Sequence, residues 1–231
     1  MRQSPLLSLV VPLYNEEKSI PLLVSSLVSA FDEARIPYEL VLVNNGSWDG
    51  TQRLILDFAK KNTRVHPVHV LKNEGYGYGV LQGLRVARGD YVGYIDGDNQ
   101  IPVDALVVAY RTMAQDGFDV VKGIRKKRQI GLLRIIASEC YNLLFRLLFF
   151  LPYREINSKP KIMKREVFNN LHLESKDWFI DTEILIKMRR LGYTLGEVHY
   201  LDKKRLGGKS SVRFVIVFEF LRNLFRYRFL R

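Results

Sequence analysis

Strand-length apolar runs alternate with helix-length stretches from the start of the chain to Gly123. The five apolar runs cover residues 6–13, 38–43, 65–71, 91–95 and 118–123, and the stretches between them are predicted helices. Strands joined by single helices form parallel sheets with right-handed crossovers. The pattern therefore predicts an α/β fold in which a mainly parallel sheet is flanked by helices.

The pattern changes after Gly123. Residues 130–151 are apolar, but charged and amide side chains interrupt them too often for a transmembrane span, which needs roughly 20 mostly uncharged residues. We predict a helix there, either buried or lying on a membrane surface. A strand at 159–165, a helix at 178–191, a strand at 194–200 and a basic glycine-rich loop at 205–211 complete a predicted domain over residues 1–211.

Residues 212–231 are predicted to be a separate helix with an apolar side and a charged side. The apolar side carries Phe214, Phe218, Leu221 and Phe225, and the other side carries Glu219, Arg222, Asn223 and Arg226. A basic helix with this division fits the surface of an anionic membrane. The alternative is that the apolar stripe docks on the protein's own core or on a partner subunit.

The net charge of +12 is concentrated in two places. Residues 122–134 carry six basic and no acidic side chains, and residues 203–231 carry nine basic side chains and one acid, which leaves a net charge of −2 on the rest. Such surfaces meet phosphate on a small molecule, on anionic lipid or on nucleic acid. No helix-turn-helix or RNA-stacking pattern accompanies them, so a nucleic-acid-binding module is the weaker alternative.

Two further observations bear on location. The single cysteine, Cys140, excludes a disulfide framework and is predicted to pack in the core. No secretory apolar segment precedes the first strand, so we expect the protein to be made and kept in the cytoplasm.

Polar clusters follow three of the predicted strands, at residues 14–17, 44–51 and 96–100. Ligands of parallel sheets bind beyond the carboxyl ends of the strands, so this placement indicates a nucleotide site. Asp96, Asp98 and Gln100 alternate along a predicted extended chain and would converge on one point. Mg²⁺ or Mn²⁺ takes oxygen ligands of this kind and shares them with substrate phosphates. An ordinary Asp-Gly turn is the alternative.

Two common nucleotide-binding motifs are missing from the sequence. The loop after the first strand has no glycine pair, which makes an NAD fingerprint improbable, and the glycines at 75–79 lack the lysine of a P-loop. The predicted site therefore needs another explanation.

Five segments together explain the predicted nucleotide site, at residues 10–17, 43–51, 73–83, 89–98 and 205–210. In this order they resemble glycosyltransferase family two with its GT-A fold, and in particular its dolichyl- and polyprenyl-phosphate sugar transferases. The resemblance covers about residues 7–211. The sequence departs from the family at Asn45, where an aspartate usually contacts the nucleoside base. The identity of the bound base is therefore left open.

The resemblance implies a role for each matching residue. The nucleoside pocket would contain Pro12, Tyr14, Glu16, Asn45 and Asp96, and Mg²⁺ or Mn²⁺ would bind Asp96, Asp98 and Gln100. Phosphate groups would contact Arg125, Arg134, Ser138, Arg205, Lys209 and Ser210. The catalytic residues would be Asp98, Asp181, Glu183 and Arg205. Asp181 and Glu183 fall at the family's acidic position near the acceptor. The alternative is that these two acids lie at the start of a helix, where their negative charges complement the helix dipole.

The implied reaction is transfer of a hexose, with inversion, from a nucleotide-diphosphate sugar to a polyprenyl phosphate at the cytoplasmic face of a membrane. A phosphate acceptor is already an anion near neutral pH, whereas a hydroxyl acceptor would need Asp181 or Glu183 as a base. Transfer to a soluble glycan or a protein hydroxyl is the alternative. The intact Asp96-Gly-Asp98 sequence argues against an inactive nucleotide-sugar sensor.

Overall fold

Seven strands form one central sheet. The computed structural model describes residues 6–126, 132–203 and 214–229, without the side chains of residues 132–134, 136–137 and 214–220. The strands are β1 (Leu7–Leu13), β2 (Tyr38–Asn45), β3 (Val65–Val70), β4 (Tyr91–Tyr94), β5 (Val120–Arg125), β6 (Lys161–Lys164) and β7 (Leu195–Tyr200). All five strands predicted before Gly123 are present, with ends shifted by up to two residues.

The strand order is β3-β2-β1-β4-β6-β5-β7. β1 pairs in parallel with β2 and β4, β2 with β3, and β5 with β7, which agrees with the predicted mainly parallel sheet. β6 is the exception, because it runs antiparallel between β4 and β5. Its first residue, Lys161, lies opposite Tyr94 at the end of β4 and opposite Lys122 in β5. The chain that enters β6 therefore passes along the edge where the parallel strands end.

The helices are α1 (Ile20–Glu33), α2 (Thr51–Lys61), α3 (Tyr76–Val86), α4 (Val103–Asp116), α5 (Leu132–Phe149), α6 (Arg165–Leu171), α7 (Ile180–Arg190) and α8 (Phe214–Phe229). The short helix α6 directly after β6 was not predicted. The prediction that Cys140 packs in the core is wrong, because Cys140 is exposed on α5.

Two apolar cores cover the two faces of the sheet. Leu9 and Val11 of β1 belong to the core that includes residues of α1 and α4, whereas Val10 belongs to the core that includes residues of α3 and α7. Successive strand residues point to opposite faces, so a strand covered on both sides is apolar throughout. This is why β1 and β2 are buried along their whole length.

The C-terminal helix α8 packs on the domain through Leu224 and Tyr227. Leu224 is fully buried and Tyr227 is nearly so, and Asn223 Nδ2 donates to Asp177 Oδ2 at 2.7 Å. Phe225, which the sequence placed on the apolar side, is exposed beside Arg222 and Arg226. Phe225 therefore does not dock on the protein's own core, and membrane contact by this helix stays a prediction.

Within the three described ranges, no helix combines the length and the apolar character that a bilayer crossing requires.

Candidate active site

The loops that follow β1 and β2 are tied together at the carboxyl edge of the sheet. The backbone N–H of Asn15 donates to Ser47 Oγ at 3.0 Å, and that of Glu16 donates to Thr51 Oγ1 at 2.9 Å. These bonds use loop donors that no strand partner satisfies. They hold the two predicted nucleotide-binding segments in a fixed relation.

The residues predicted to line a nucleoside pocket all lie at this edge. Pro12 is buried within β1, and Tyr14 is exposed just beyond it. Glu16 Oε2 accepts a hydrogen bond from Ser19 Oγ at 2.7 Å, before α1 begins. Asn45 ends β2, is buried, and donates from Nδ2 to the carbonyl of Gly75 at 3.0 Å, while its Oδ1 is buried without a hydrogen-bond partner. A buried polar atom left without a partner is uncommon and is often found where a ligand binds.

The segment that carries the two predicted metal-binding acids is a turn. β4 ends at Tyr94, and Asn99 has the left-handed φ of 58°. The expectation that alternation along an extended chain brings Asp96, Asp98 and Gln100 together is therefore wrong. The turn brings part of this set together, because Asp98 Oδ1 accepts a hydrogen bond from the backbone N–H of Gln100 at 3.2 Å.

Asp96 is half-buried beside two aromatic side chains, and this group of residues is called the Asp96 site. Tyr76 donates its hydroxyl hydrogen to Asp96 Oδ1 at 2.7 Å. The ring of Tyr76 stacks on that of Trp178, with 4.1 Å between the centroids and 6° between the planes. Burial raises the pKa of the Tyr76 hydroxyl, and the negative charge of Asp96 adds to the effect, so the phenol keeps its proton and remains a donor.

A buried charge cluster around Asp181 adjoins the Asp96 site through Lys159. The Asp181 carboxylate accepts hydrogen bonds from the Tyr94 hydroxyl at 2.7 Å and from Lys161 Nζ at 2.5 Å, and it lies 2.9 Å from Lys159 Nζ. Burial alone would raise the pKa of Asp181, but the ammonium groups of Lys159 and Lys161 outweigh that effect and the pKa is lowered. Asp181 is therefore an ion-paired anion without exposure to solvent.

The two lysines of the cluster differ in their pKa. Burial lowers the pKa of Lys161, and the neighbouring ammonium of Lys159 lowers it further, to about 7. Burial also acts to lower the pKa of Lys159, but the carboxylates of Asp181 and Asp96 outweigh it, and the pKa of Lys159 is raised. Lys159 is therefore the firmly charged cation of the pair.

Glu183 makes a different set of contacts. One of its oxygens, Oε2, accepts a hydrogen bond from the backbone N–H of Ser175 at 2.8 Å, both oxygens accept from that of Glu174, and Lys187 Nζ lies 2.7 Å from Oε1. The carboxylate thus fixes the loop that precedes α7 and carries Trp178. None of these partners belongs to the cluster around Asp181, and the catalytic role of Glu183 stays a prediction.

The residues predicted to bind phosphate are only partly described. Arg125 ends β5 with 27% of its side chain exposed, and its guanidinium lies 3.4 Å from Glu155 and 3.8 Å from Asp202. Ser138 is half-buried on α5, whose backbone also includes Arg134. The side chain of Arg134 and the whole of Arg205, Lys209 and Ser210 lie outside the described residues.

Three site features were not found from the sequence: the two buried lysines, the hydroxyl of Tyr94, and the stack of Tyr76 on Trp178. One signal was present, because Lys159 and Lys161 are spaced two apart at the start of an apolar run. Such a pair points to one side of a strand, and a buried lysine requires an acidic partner. Nothing in the sequence indicated that the partner is Asp181, since the pairing depends on β6 lying beside β4.

The donor set at the turn fits a hard divalent cation. No group of three or more His, Cys, Asp or Glu side chains in the described ranges could enclose a metal by itself. Mg²⁺, however, is commonly held by one or two carboxylates together with substrate phosphates. Asp98 and Gln100 supply such oxygens, whereas Asp96 Oδ1 is already engaged by Tyr76 and approached by Lys159 at 3.6 Å.

Comparison with known sequences agrees with this geometry. The model of "Glycosyl transferase family 2" matches residues 8–187. The undecaprenyl-phosphate 4-deoxy-4-formamido-L-arabinose transferase of Pectobacterium carotovorum is 36% identical over 141 residues, which is 60% of this chain and 42% of that protein. The match thus spans less than half the length of that relative.

Comparison with solved structures addresses the fold. Mannosyl-3-phosphoglycerate synthase from Rubrobacter xylanophilus superposes on 97% of this chain and 74% of its own, with a TM-score of 0.77 and 15% identity. A mannosyltransferase from Pyrobaculum calidifontis, solved with GDP-Man and Mn²⁺, covers 90% of this chain and 59% of its own, with a TM-score of 0.64 and 20% identity.

These neighbours have the GT-A fold, which agrees with the sheet described above. The family model covers more than three quarters of the chain, including β1 to β6, the turn at Asp96–Asp98 and most of α7. The chain is a member of glycosyl transferase family 2.

Proposed function

We propose that this chain transfers a hexose from a nucleotide-diphosphate sugar to a polyprenyl phosphate, with inversion at the sugar carbon. The observation that carries the proposal is that Asn45 and the turn of Asp96, Asp98 and Gln100 both lie at the edge where β1, β2 and β4 end. The matched relatives are named as undecaprenyl-phosphate sugar transferases, which supports the same acceptor class here.

The donor would lie across this edge. Its nucleoside would contact Pro12, Tyr14 and Asn45, whose buried Oδ1 supplies an acceptor for a base N–H. Asp98 and Gln100 would hold Mg²⁺ or Mn²⁺ with the diphosphate oxygens. When bound, the cation would neutralise the charge that grows on the departing nucleoside diphosphate. Arg205, Lys209 and Ser210 are proposed to contact the same diphosphate.

The acceptor would approach from the side of Arg125, whose guanidinium suits phosphate oxygens. Arg134 and Ser138 are proposed to assist it. The burial of Asp181 and Glu183 favours a phosphate acceptor over a hydroxyl. Asp181 is neutralised by two lysines and Glu183 is committed to backbone amides, so neither is placed to remove a proton from a hydroxyl group. A phosphate monoester is already ionised and needs no base.

We further propose that the protein works at the cytoplasmic face of a membrane as a peripheral enzyme. The exposed face of α8 carries Arg222, Phe225, Arg226 and Phe229, which follow one another at helical spacing. Aromatic rings between arginines suit the surface of an anionic bilayer, where the lipid acceptor would be found.

A screen of labelled sugar nucleotides against polyprenyl phosphate, with and without Mn²⁺, tests the function. We expect transfer for one donor, loss of transfer on chelation, and a reduction on the order of 10²-fold or more for Asp98→Ala, because transition-state charge stabilisation of this kind is worth that much. Circular dichroism would show that the variant is folded. Full turnover by Asp98→Ala with the metal chelated would contradict the proposed site.

The second candidate is transfer to a soluble hydroxyl acceptor. It predicts activity that survives deletion of residues 212–231, because no lipid surface would be involved. The same screen with water-soluble acceptors separates the two candidates.

A further inference from the structure

Lys159 lies in an unusual place for a lysine. Its side chain is 3% exposed, and it belongs to the chain that enters the antiparallel strand β6. Tyr94 of β4 lies opposite Lys161 of β6. Lys159 precedes Lys161 by two residues, and its Nζ lies 3.6 Å from Oδ1 of Asp96, which follows Tyr94 by two residues. The antiparallel strand therefore delivers a buried cation directly beneath the first acid of the Asp96–Asp98 turn.

The ammonium group of Lys159 joins the buried cluster to the Asp96 site. Nζ lies 2.9 Å from Asp181 Oδ2 and 3.6 Å from Asp96 Oδ1, and it donates to the carbonyl of Asn157 at 3.1 Å. It also lies 4.8 Å from the ring centroid of Tyr76 and 5.3 Å from that of Trp178. A cation at this distance from aromatic rings is further stabilised.

Lys161, the first residue of β6, provides a contrast to Lys159. Its ammonium donates to Asp181 and to the carbonyls of Ile156 and Ser158, all within the protein interior. Both lysines thus pair with Asp181, and Lys159 also lies 3.6 Å from Asp96. The side chain of Asp96 is 29% exposed, so the buried charge of Lys159 acts on a carboxylate that solvent and ligands can reach.

We propose that Lys159 is a positioning residue for donor binding, which acts by fixing the Asp96 carboxylate. Tyr76 and Lys159 approach the same oxygen, Oδ1, from the protein side. This leaves the carboxylate in one orientation and directs its remaining hydrogen-bonding capacity toward the nucleotide. The ammonium also offsets the repulsion between Asp96 and the buried anion of Asp181. The inference rests on the proposed function, because it assumes that a nucleotide-sugar donor binds at the Asp96 site.

A double-mutant cycle tests the inference. Titration calorimetry with UDP, GDP, CDP and dTDP in the presence of Mn²⁺ first identifies the diphosphate that the wild type binds most tightly. The affinity for that diphosphate is then measured for Lys159→Met, Asp96→Asn and the double variant. We expect Lys159→Met to weaken binding by on the order of tenfold and to have much less effect when Asp96 is already Asn.

The matched control is Lys161→Met with the same partner change. It also removes one ammonium from Asp181, but its effect on affinity should be the same with and without Asp96→Asn. If Lys159 had only a structural role, the effects of Lys159→Met and Asp96→Asn on affinity would likewise be additive. If Asp96→Asn binds too weakly to measure, Tyr76→Phe replaces it, because it removes the other contact to the same oxygen. If Lys159→Met does not fold, Lys159→Gln takes its place.

The outcomes separate two failures. Additive effects for Lys159→Met, with clear diphosphate binding by the wild type, would overturn the role of Lys159 and leave the proposed function in place. No binding of any of the four diphosphates by the wild type would overturn both. Steady-state kinetics give a further check, since the KM for the donor should rise while the KM for the acceptor changes little.

Discussion

At the scale of single residues, the site depends on close packing beneath its polar groups. Gly97 separates Asp96 from Asp98, and a Cβ atom there would lie 2.5 Å from Leu13 Cδ2 and 3.0 Å from the carbonyl oxygen of Pro12. Leu13 is fully buried, so it has little room to move. The turn that carries the acids is thus seated directly on the end of β1.

Gly97→Ala should therefore reduce both stability and donor binding. Overpacking of this kind costs about 1–3 kcal/mol, and relief by movement of the turn would displace Asp98. Urea unfolding and calorimetry with a nucleoside diphosphate and Mn²⁺ measure the two effects. Gly50→Ala is the control, because its Cβ would meet the flexible carboxylate end of Glu17 at 2.8 Å. Equal stabilities for wild type and Gly97→Ala would contradict the packing argument.

At the scale of elements, one acid fixes the junction of β5 with β6 and β7. Asp119, just before β5, accepts hydrogen bonds from Lys164 Nζ at 2.8 Å, from the backbone N–H of Thr194 at 2.9 Å and from the Thr194 hydroxyl at 2.8 Å. Burial alone would raise the pKa of Asp119, but the hydrogen bonds from Lys164 and Thr194 outweigh it, and the pKa lies below its usual value of 3.8.

Asp119→Asn should lower the free energy of unfolding at pH 7 by about 1–3 kcal/mol, the usual cost of disrupting hydrogen bonds to a charged group. A lowered pKa in the folded state stabilises the protein above the unfolded value of 3.8, and this contribution disappears as the pH falls through the lower folded value. The difference between variant and wild type should therefore narrow below about pH 4. Urea titrations across this range measure it.

Asp116→Asn is the matched control for that experiment. It removes the same charge from an exposed position at the end of α4, and it should alter stability by no more than about 0.5 kcal/mol. A difference for Asp119→Asn that persists unchanged to pH 2 would contradict the role of its ionised carboxylate.

The elements themselves were largely predictable from the sequence. β1, β2 and β3 are apolar runs bounded by turn residues, and the stretches between them are helices, as predicted. The antiparallel placement of β6 was not predictable, because four residues carry no signal for direction or for neighbours. The candidate site residues that the sequence indicated lie in local motifs, as Asp96 and Asp98 do, and their roles stay predictions. Lys159 was missed, because its position near Asp96 depends on the placement of β6 beside β4.

At the scale of the whole molecule, α8 and α5 present apolar side chains to solvent. Leu143, Leu147 and Phe150 are exposed in and just after α5, and Phe225 and Phe229 are exposed on α8. The two helices are joined where Arg228 Nε donates to the carbonyl of Leu148 at 2.9 Å. Exposed apolar groups beside arginines are the surface that we propose for membrane contact.

Arg222→Glu with Arg226→Glu should weaken binding to vesicles that contain anionic phosphatidylglycerol by at least about tenfold, because each basic residue near such a surface contributes roughly 1 kcal/mol. Co-sedimentation against neutral phosphatidylcholine vesicles gives the baseline. Lys60→Glu with Lys61→Glu makes the same charge change at the end of α2 and should have little effect. Equal losses for both pairs would indicate a general charge effect and contradict a specific surface.

The position of β6 also has a consequence for the order in which the molecule can be completed. β4 and β5 do not pair with each other, and both depend on a strand that is synthesised about 40 residues after β5 begins. Until Lys161–Lys164 leaves the ribosome, the nascent sheet has unpaired backbone groups along β4, which could pair with other chains. The same insertion brings in the lysines that neutralise Asp181. Insertion of β6 therefore fills the gap between β4 and β5, and it places Lys159 and Lys161 where Asp181, which follows later in the chain, can pair with them.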